Sequence, residues 1–167
     1  MTSKGFIRWS GAAAVLAGLL GIAGSFFVGR AAPPVALEIW VLAFTTLATY
    51  FALFGVYLYQ RRGAGVLGLI GLVVTVVGNT LWFLPGFPIL AGSFYALGLI
   101  ILAVASLRAG MLPRWVPALW IAAPVLGVPG FFLESIAGAS YIAAGIAYGS
   151  AFIGAGWILW SGRAAQA

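Results

Sequence analysis

The sequence predicts an all-α integral membrane protein, a polytopic bundle of six transmembrane helices joined by short loops. Three observations lead to this fold class. Apolar residues make up 64% of the chain and charged residues only 6%, whereas a soluble domain carries about 25% charged residues. The apolar residues fall into six runs, most of them close to the roughly 20 residues that a helix needs to cross a bilayer. Basic residues or turns rich in Gly and Pro separate these runs.

The first run covers residues 6–28 and the second covers residues 36–60. A cleaved signal peptide is the alternative interpretation of the first run, with Lys4 and Arg8 as its basic region. We favour a retained helix, because the run is longer than the roughly 7–15 apolar residues of a signal peptide and no clean cleavage site follows it. A pair of prolines then separates the two runs.

The third and fourth runs cover residues 64–84 and 89–107, with a Pro-Gly-Phe-Pro turn between them. The fifth run, residues 116–132, is the shortest and contains prolines that should kink the helix or end it early. The sixth run covers residues 136–160 and is followed by a short polar tail. With these boundaries, residues 1–167 form one domain that lies in the membrane.

The basic residues predict the orientation of the bundle. With six crossings, seven of the eight basic residues lie on one side of the membrane, and only Arg30 lies on the other. Because basic residues are enriched in cytoplasmic loops, we expect both termini in the cytoplasm. The net charge of +6 then reflects topology and contact with anionic lipid, and no nucleic-acid partner is implied.

Several residue types that carry chemistry are missing from the chain. There is no Cys and no His, which excludes thiolate metal sites, thiol nucleophiles and imidazole ligands for haem or zinc. The only Lys is Lys4, so no intramembrane amine could hold retinal as a Schiff base. The sequence also contains no Ser-His pair, phosphate-binding loop or metal-ligand spacing, so we predict no catalytic residue, metal or cofactor.

Small residues predict where helices pack against each other. Membrane helices associate through small side chains that let backbones approach closely. The third run offers Gly68 and Gly71, and the sixth offers Gly145 and Gly149 in GxxxG spacing. Packing within the bundle is the simpler interpretation, and a homodimer face is the alternative.

Five polar residues near the outer ends of the predicted helices are candidates for a ligand site. They are Glu38, Asn79, Tyr95, Glu134 and Tyr141. A few polar groups in an apolar cavity are the usual composition of such a site. A carboxylate in the first turn of a helix also complements the helix dipole, which explains both acids without a ligand.

The connector between the fourth and fifth runs carries a resemblance. Leu107 to Trp115 reads Leu-Arg-Ala-Gly-Met-Leu-Pro-Arg-Trp between two apolar helices. It resembles a segment of small, uncharacterised bacterial multi-pass membrane proteins of the domain-of-unknown-function type. The resemblance implies a protein of the bacterial inner membrane, and it transfers no functional residue.

Three classes of function remain open. The first is a non-catalytic accessory or scaffold subunit that packs against other membrane subunits. The second is binding or transport of a small apolar or amphipathic ligand (a lipid, quinone or carotenoid) through an outer-side pocket. The third is an intramembrane enzyme. We favour the first class, because intramembrane ionisable residues are the usual indication of function and are nearly missing here.

Overall fold

The computed structural model describes residues 3–27, 35–84 and 86–161. Its elements are helical throughout, and no β-strand occurs among the described residues, so the all-α fold class is confirmed. In chain order they are α1 (Ser3–Phe27), α2 (Val35–Leu81), α3 (Pro88–Ala109), α4 (Trp115–Gly127), α5 (Pro129–Phe132), a 3-10 turn (Glu134–Ile136) and α6 (Ala137–Ser161).

Within the described residues, five helical segments are long and apolar enough to cross a membrane. These segments are Lys4–Phe26, Trp40–Leu81, Ile89–Ala109, Trp115–Phe132 and Glu134–Ser161. The second and third runs of the sequence, predicted as separate helices, form the single element α2. The helix continues through the predicted break after residue 60 and is interrupted only at Gly65.

Helix α2 folds back on itself at Gly65. This residue has φ 54° and ψ −147°, a conformation that glycine adopts without the steric cost of a side chain. The hydroxyl groups of Tyr50 and Thr80 then lie 2.7 Å apart. In a straight helix, 30 residues would separate them by about 45 Å. Residues 35–64 and 66–81 therefore form two antiparallel arms, called here the first and second arms of α2.

Helices α1 and α6 pack antiparallel with their backbones in close contact. A Cβ atom added to Gly18 would lie 2.5 Å from the carbonyl oxygen of Gly149, and one added to Gly11 would lie 2.7 Å from that of Gly156. Gly145 faces the same helix, because its added Cβ would meet the Ser25 side chain and lie 3.3 Å from the carbonyl oxygen of Gly21. Small residues at these positions let the two backbones approach closely.

The second arm of α2 forms a similar antiparallel pair with α3. An added Cβ at Gly71 would lie 2.5 Å from the backbone nitrogen of Leu102, and one at Gly78 would lie 2.6 Å from the Cα of Tyr95. Gly68 instead lies beside the fold in α2, where an added Cβ would meet a tyrosine ring of the first arm at 3.5 Å. The two glycine-lined pairs form the framework of the bundle.

The fifth predicted run is divided into α4 and α5. Pro129 cannot donate a backbone hydrogen bond and occupies the first position of α5, where none is needed. Ser140 of α6 bridges the division: its hydroxyl accepts a hydrogen bond from the Gly130 N–H at 3.1 Å and donates one to the Leu126 carbonyl. A side chain of α6 thus satisfies backbone groups that would be costly to leave unpaired in lipid.

One end of the bundle carries all the basic residues that the structure describes. The rings of Trp9 and Trp160 lie 5.9 Å apart, which places the start of α1 beside the end of α6. Gly63 contacts Ala109, which places the fold of α2 beside the end of α3. We call this the basic end. Its exposed cations are Lys4, Arg8, Arg61, Arg62, Arg108 and Arg114.

Candidate functional site: a polar layer inside the bundle

Four polar side chains from four different helical segments lie at a similar depth in the bundle. They are Thr49 of the first arm, Asn79 of the second arm, Tyr95 of α3 and Tyr148 of α6. Each lies 13 to 16 residues from the end of its segment that is at the basic end of the bundle: Gly65 for the two arms, Ala109 for α3 and Ser161 for α6. At a rise of 1.5 Å per residue this is about 20–24 Å. We call these four residues the polar layer.

A hydrogen bond between helices lies at the centre of the polar layer. The hydroxyl groups of Thr49 and Tyr148 are 2.8 Å apart, and Thr49 is almost fully buried. The ring of Tyr95 packs against that of Tyr148, with centroids 6.2 Å apart. Three segments that are distant in the sequence therefore meet here through polar and aromatic contacts.

An aromatic row continues from the polar layer toward α4. The ring of Tyr148 lies 4.6 Å from that of Phe152, and Phe152 lies 5.5 Å from Trp120. Phe152 and Trp120 are completely buried. Aromatic rings at these distances contribute to packing beyond the area that they bury, so the row joins α4 and α6 to the polar layer.

Asn79 is the member of the layer with an unused hydrogen-bonding group. Its Nδ2 atom is buried and has no partner among the described residues. An unpaired amide donor is costly in an apolar interior, and the hydrocarbon tails of lipids provide no partner for it. Asn79 is therefore the group of the layer that is available to bind a further polar atom.

The predicted ligand residues are distributed over two levels of the bundle. Asn79 and Tyr95 belong to the polar layer. Glu134 is exposed in the 3-10 turn at the end opposite the basic end, and the Tyr141 ring packs edge-on against Phe131 at 5.6 Å. Glu38 lies in α2, and its side chain falls outside the described part of the structure.

A surface cavity lies near the turn between α2 and α3. Its volume is about 430 Å³, and it is lined by Gly86, Phe87, Ile89, Leu90 and Ser93. Asn79, Tyr95, Glu134 and Tyr141 are not among the described residues that line it. The cavity and the polar layer are therefore separate features of the bundle.

Sequence reasoning misses a buried amide near the basic end. Gln60 is fully buried, and its Nε2 donates a hydrogen bond to the Ser106 hydroxyl at 2.6 Å, which in turn donates to the Leu102 carbonyl. Its Oε1 has no partner among the described residues. In the sequence Gln60 stands next to Arg61 and resembles a solvated helix end, so only the continuation of the helix to Gly65 places it inside.

The chemistry of the layer is that of hydroxyl and amide groups. Among residues 3–27, 35–84 and 86–161, no cluster of three or more His, Cys, Asp or Glu side chains could hold a metal ion. Comparisons with models of known protein families, with curated proteins and with solved structures give no match.

Proposed function

We propose that this chain is a non-catalytic integral membrane protein of the bacterial inner membrane that acts as an accessory or scaffold subunit. The observation that carries the proposal is the use of interior polar groups to join helices. Thr49 bonds to Tyr148, Gln60 bonds to Ser106, and Ser140 bonds to the backbone between α4 and α5. These groups therefore have a structural role in holding the helices of the bundle together.

Six crossings, with the basic end in the cytoplasm, are part of this proposal. The apolar segment Trp40–Leu81 has 42 residues, about 63 Å as a straight helix, which is twice the roughly 30 Å hydrocarbon thickness. Because the chain reverses at Gly65, we propose one crossing for each arm. The concentration of described cations at one end favours a cytoplasmic location for that end.

The outer surface of the bundle suits a subunit surrounded by lipid and partner helices. On the first arm, four large apolar side chains at helical spacing are 45–56% exposed: Phe44, Leu47, Phe51 and Phe54. Lipid tails are as apolar as these side chains, so association with a partner would depend on close packing and hydrogen bonds. The partners that we propose are other membrane subunits or a second copy of the chain.

Binding of a small amphipathic molecule is the second candidate function, and Asn79 favours it. An unpaired buried amide donor could bind the oxygen of a lipid, quinone or carotenoid that enters between helices. Tyr95, at the same depth, would lie beside that molecule.

Purification of the full chain from native membranes in a neutral detergent separates the two functions. A scaffold subunit should co-purify with membrane polypeptides at a fixed ratio, and solvent extraction should release only bulk lipids. A ligand-binding protein should release one apolar compound in stoichiometric amount, and Asn79→Leu should abolish this release. Release of such a compound by the wild-type chain, and not by Asn79→Leu, would contradict the scaffold proposal.

A further inference from the structure

We propose that the basic end contains a binding site for the headgroup of an anionic phospholipid. Four arginines form it, and they stand at two adjoining turns of the chain: the fold of α2 at Gly65 and the connector between α3 and α4. The arginines are Arg61, Arg62, Arg108 and Arg114, called here the arginine cluster. This inference does not depend on the scaffold function, because it concerns a surface that the polar layer does not reach.

The two turns that carry the arginine cluster are in direct contact. A Cβ atom added to Gly63 would lie 2.9 Å from the Cα of Ala109. With about 3.8 Å between consecutive Cα atoms, the Cα atoms of Arg62 and Arg108 lie no more than about 12 Å apart. Two arginine side chains can converge on one phosphate across that distance.

A second contact holds the turns together. The Tyr59 hydroxyl donates a hydrogen bond to the backbone carbonyl of Met111 at 3.3 Å. This bond joins the end of the first arm to the turn that leads to Arg114. The arginine cluster is therefore attached to a fixed framework.

The charge of the arginine cluster is not neutralised by the described part of the protein. All four side chains are exposed, and no ion pair forms among the described residues. The one acid whose side chain is described, Glu134, lies at the opposite end. Arg8 differs, since its guanidinium lies 4.8 Å above the ring of Trp160. Four like charges on adjoining turns attract anions from outside the protein.

The surroundings of the cluster indicate a lipid phosphate instead of a soluble one. Val66, Leu107, Met111 and Trp115 are 39–74% exposed and stand within a few residues of the arginines. Tryptophan is enriched where headgroups meet hydrocarbon, and guanidinium groups bind phosphate oxygens in bidentate geometry. A phospholipid combines both features: a phosphate for the arginines and acyl chains for the apolar side chains.

Native mass spectrometry of the full chain in neutral detergent tests the proposal with phosphatidylglycerol and phosphatidylcholine at equal concentration. The wild-type chain should bind phosphatidylglycerol preferentially. Arg108→Gln should reduce this preference about fivefold, the effect expected of one basic residue near an anionic headgroup, and adding Arg62→Gln should reduce it again by a similar factor. Lys4→Gln is the matched control, because it removes one charge from the same end outside the cluster and should leave the preference unchanged.

Three results would overturn the proposal. The first is equal binding of both lipids by the wild-type chain. The second is an equal loss in Lys4→Gln and Arg108→Gln, which would mean diffuse surface charge. The third is displacement of bound phosphatidylglycerol by millimolar glycerol 3-phosphate, which would make the site one for soluble phosphates. Arg108→Lys keeps the charge but not the planar fork, so it should lose part of the preference even if Arg108→Gln fails to fold.

Discussion

Gly18 on α1 allows a direct test of the contact between α1 and α6. In Gly18→Ala, the new Cβ atom would lie 2.5 Å from the carbonyl oxygen of Gly149 and 3.1 Å from the backbone nitrogen of Ile153. Non-bonded heavy atoms are most stable at about 3.5–4.0 Å. Because both partners are backbone atoms that cannot rotate away, the two helices must separate locally by about 1 Å.

The expected loss of stability follows from two opposing effects. Extra atoms in a well-packed interior typically cost about 1–3 kcal/mol. Replacing glycine by alanine inside a helix raises the free energy of unfolding by up to about 1 kcal/mol, because alanine has the higher helix propensity. We therefore expect Gly18→Ala to lower the free energy of unfolding by about 1–2 kcal/mol. Gly24→Ala is the control on the same helix, because its added Cβ meets nothing within 4 Å, and it should keep or raise stability.

Equilibrium unfolding in mixed micelles of a neutral detergent and dodecyl sulfate, followed by circular dichroism, measures both variants. Gly149→Ala probes the same contact from α6 and should resemble Gly18→Ala. Equal stability of Gly18→Ala and Gly24→Ala would refute the reasoning, because it would mean that this face of α1 meets lipid instead of α6.

Three further predictions concern the α4–α5 division, the polar layer and the topology. Ser140→Ala leaves the backbone groups that this hydroxyl bridges unpaired, so the free energy of unfolding should fall by about 1–3 kcal/mol; no loss would mean that these groups find other partners. A double-mutant cycle of Thr49→Val and Tyr148→Phe should give a coupling energy of about 0.6 kcal/mol, typical of hydrogen bonds between membrane helices, and strictly additive losses would contradict the bond. In this Cys-free chain, Phe87→Cys should react with an impermeant thiol reagent added outside intact cells, whereas Met111→Cys should react only after permeabilisation; the reverse pattern would invert the proposed orientation.

The fold class was predictable because it depends on composition and on the length of apolar runs. Both properties are independent of how the helices rotate. The positions of small residues also indicated contact faces, and the structure places Gly145 and Gly149 against α1 and Gly71 against α3. The sequence does not indicate which helix packs against such a face, because glycine presents the same surface to any helix.

The reversal in α2 was predicted a few residues too early because its signal is ambiguous. Arg61, Arg62 and Gly63 are typical of a loop, yet they stay helical, and within α2 only Gly65 has a positive φ. The candidate site was harder to predict, because whether side chains from different helices converge on one point depends on the rotation of each helix about its axis. A rotation of about 100° separates neighbouring residues on a helix, so Tyr95 and Tyr141 have similar sequence contexts but pack against different partners.

The pairing of α1 with α6 has a consequence for biosynthesis. Gly149 follows Gly18 by 131 positions, so at ribosomal rates of about 5–20 residues per second the first helix is in the bilayer for roughly ten seconds before its partner is made. During that interval the glycine face of α1 remains open to lipid or to neighbouring chains. The arrival of α6 therefore completes this helix pair, and a nascent chain truncated before α6 would present the unpaired glycine face of α1 to the insertion machinery and its quality-control proteases.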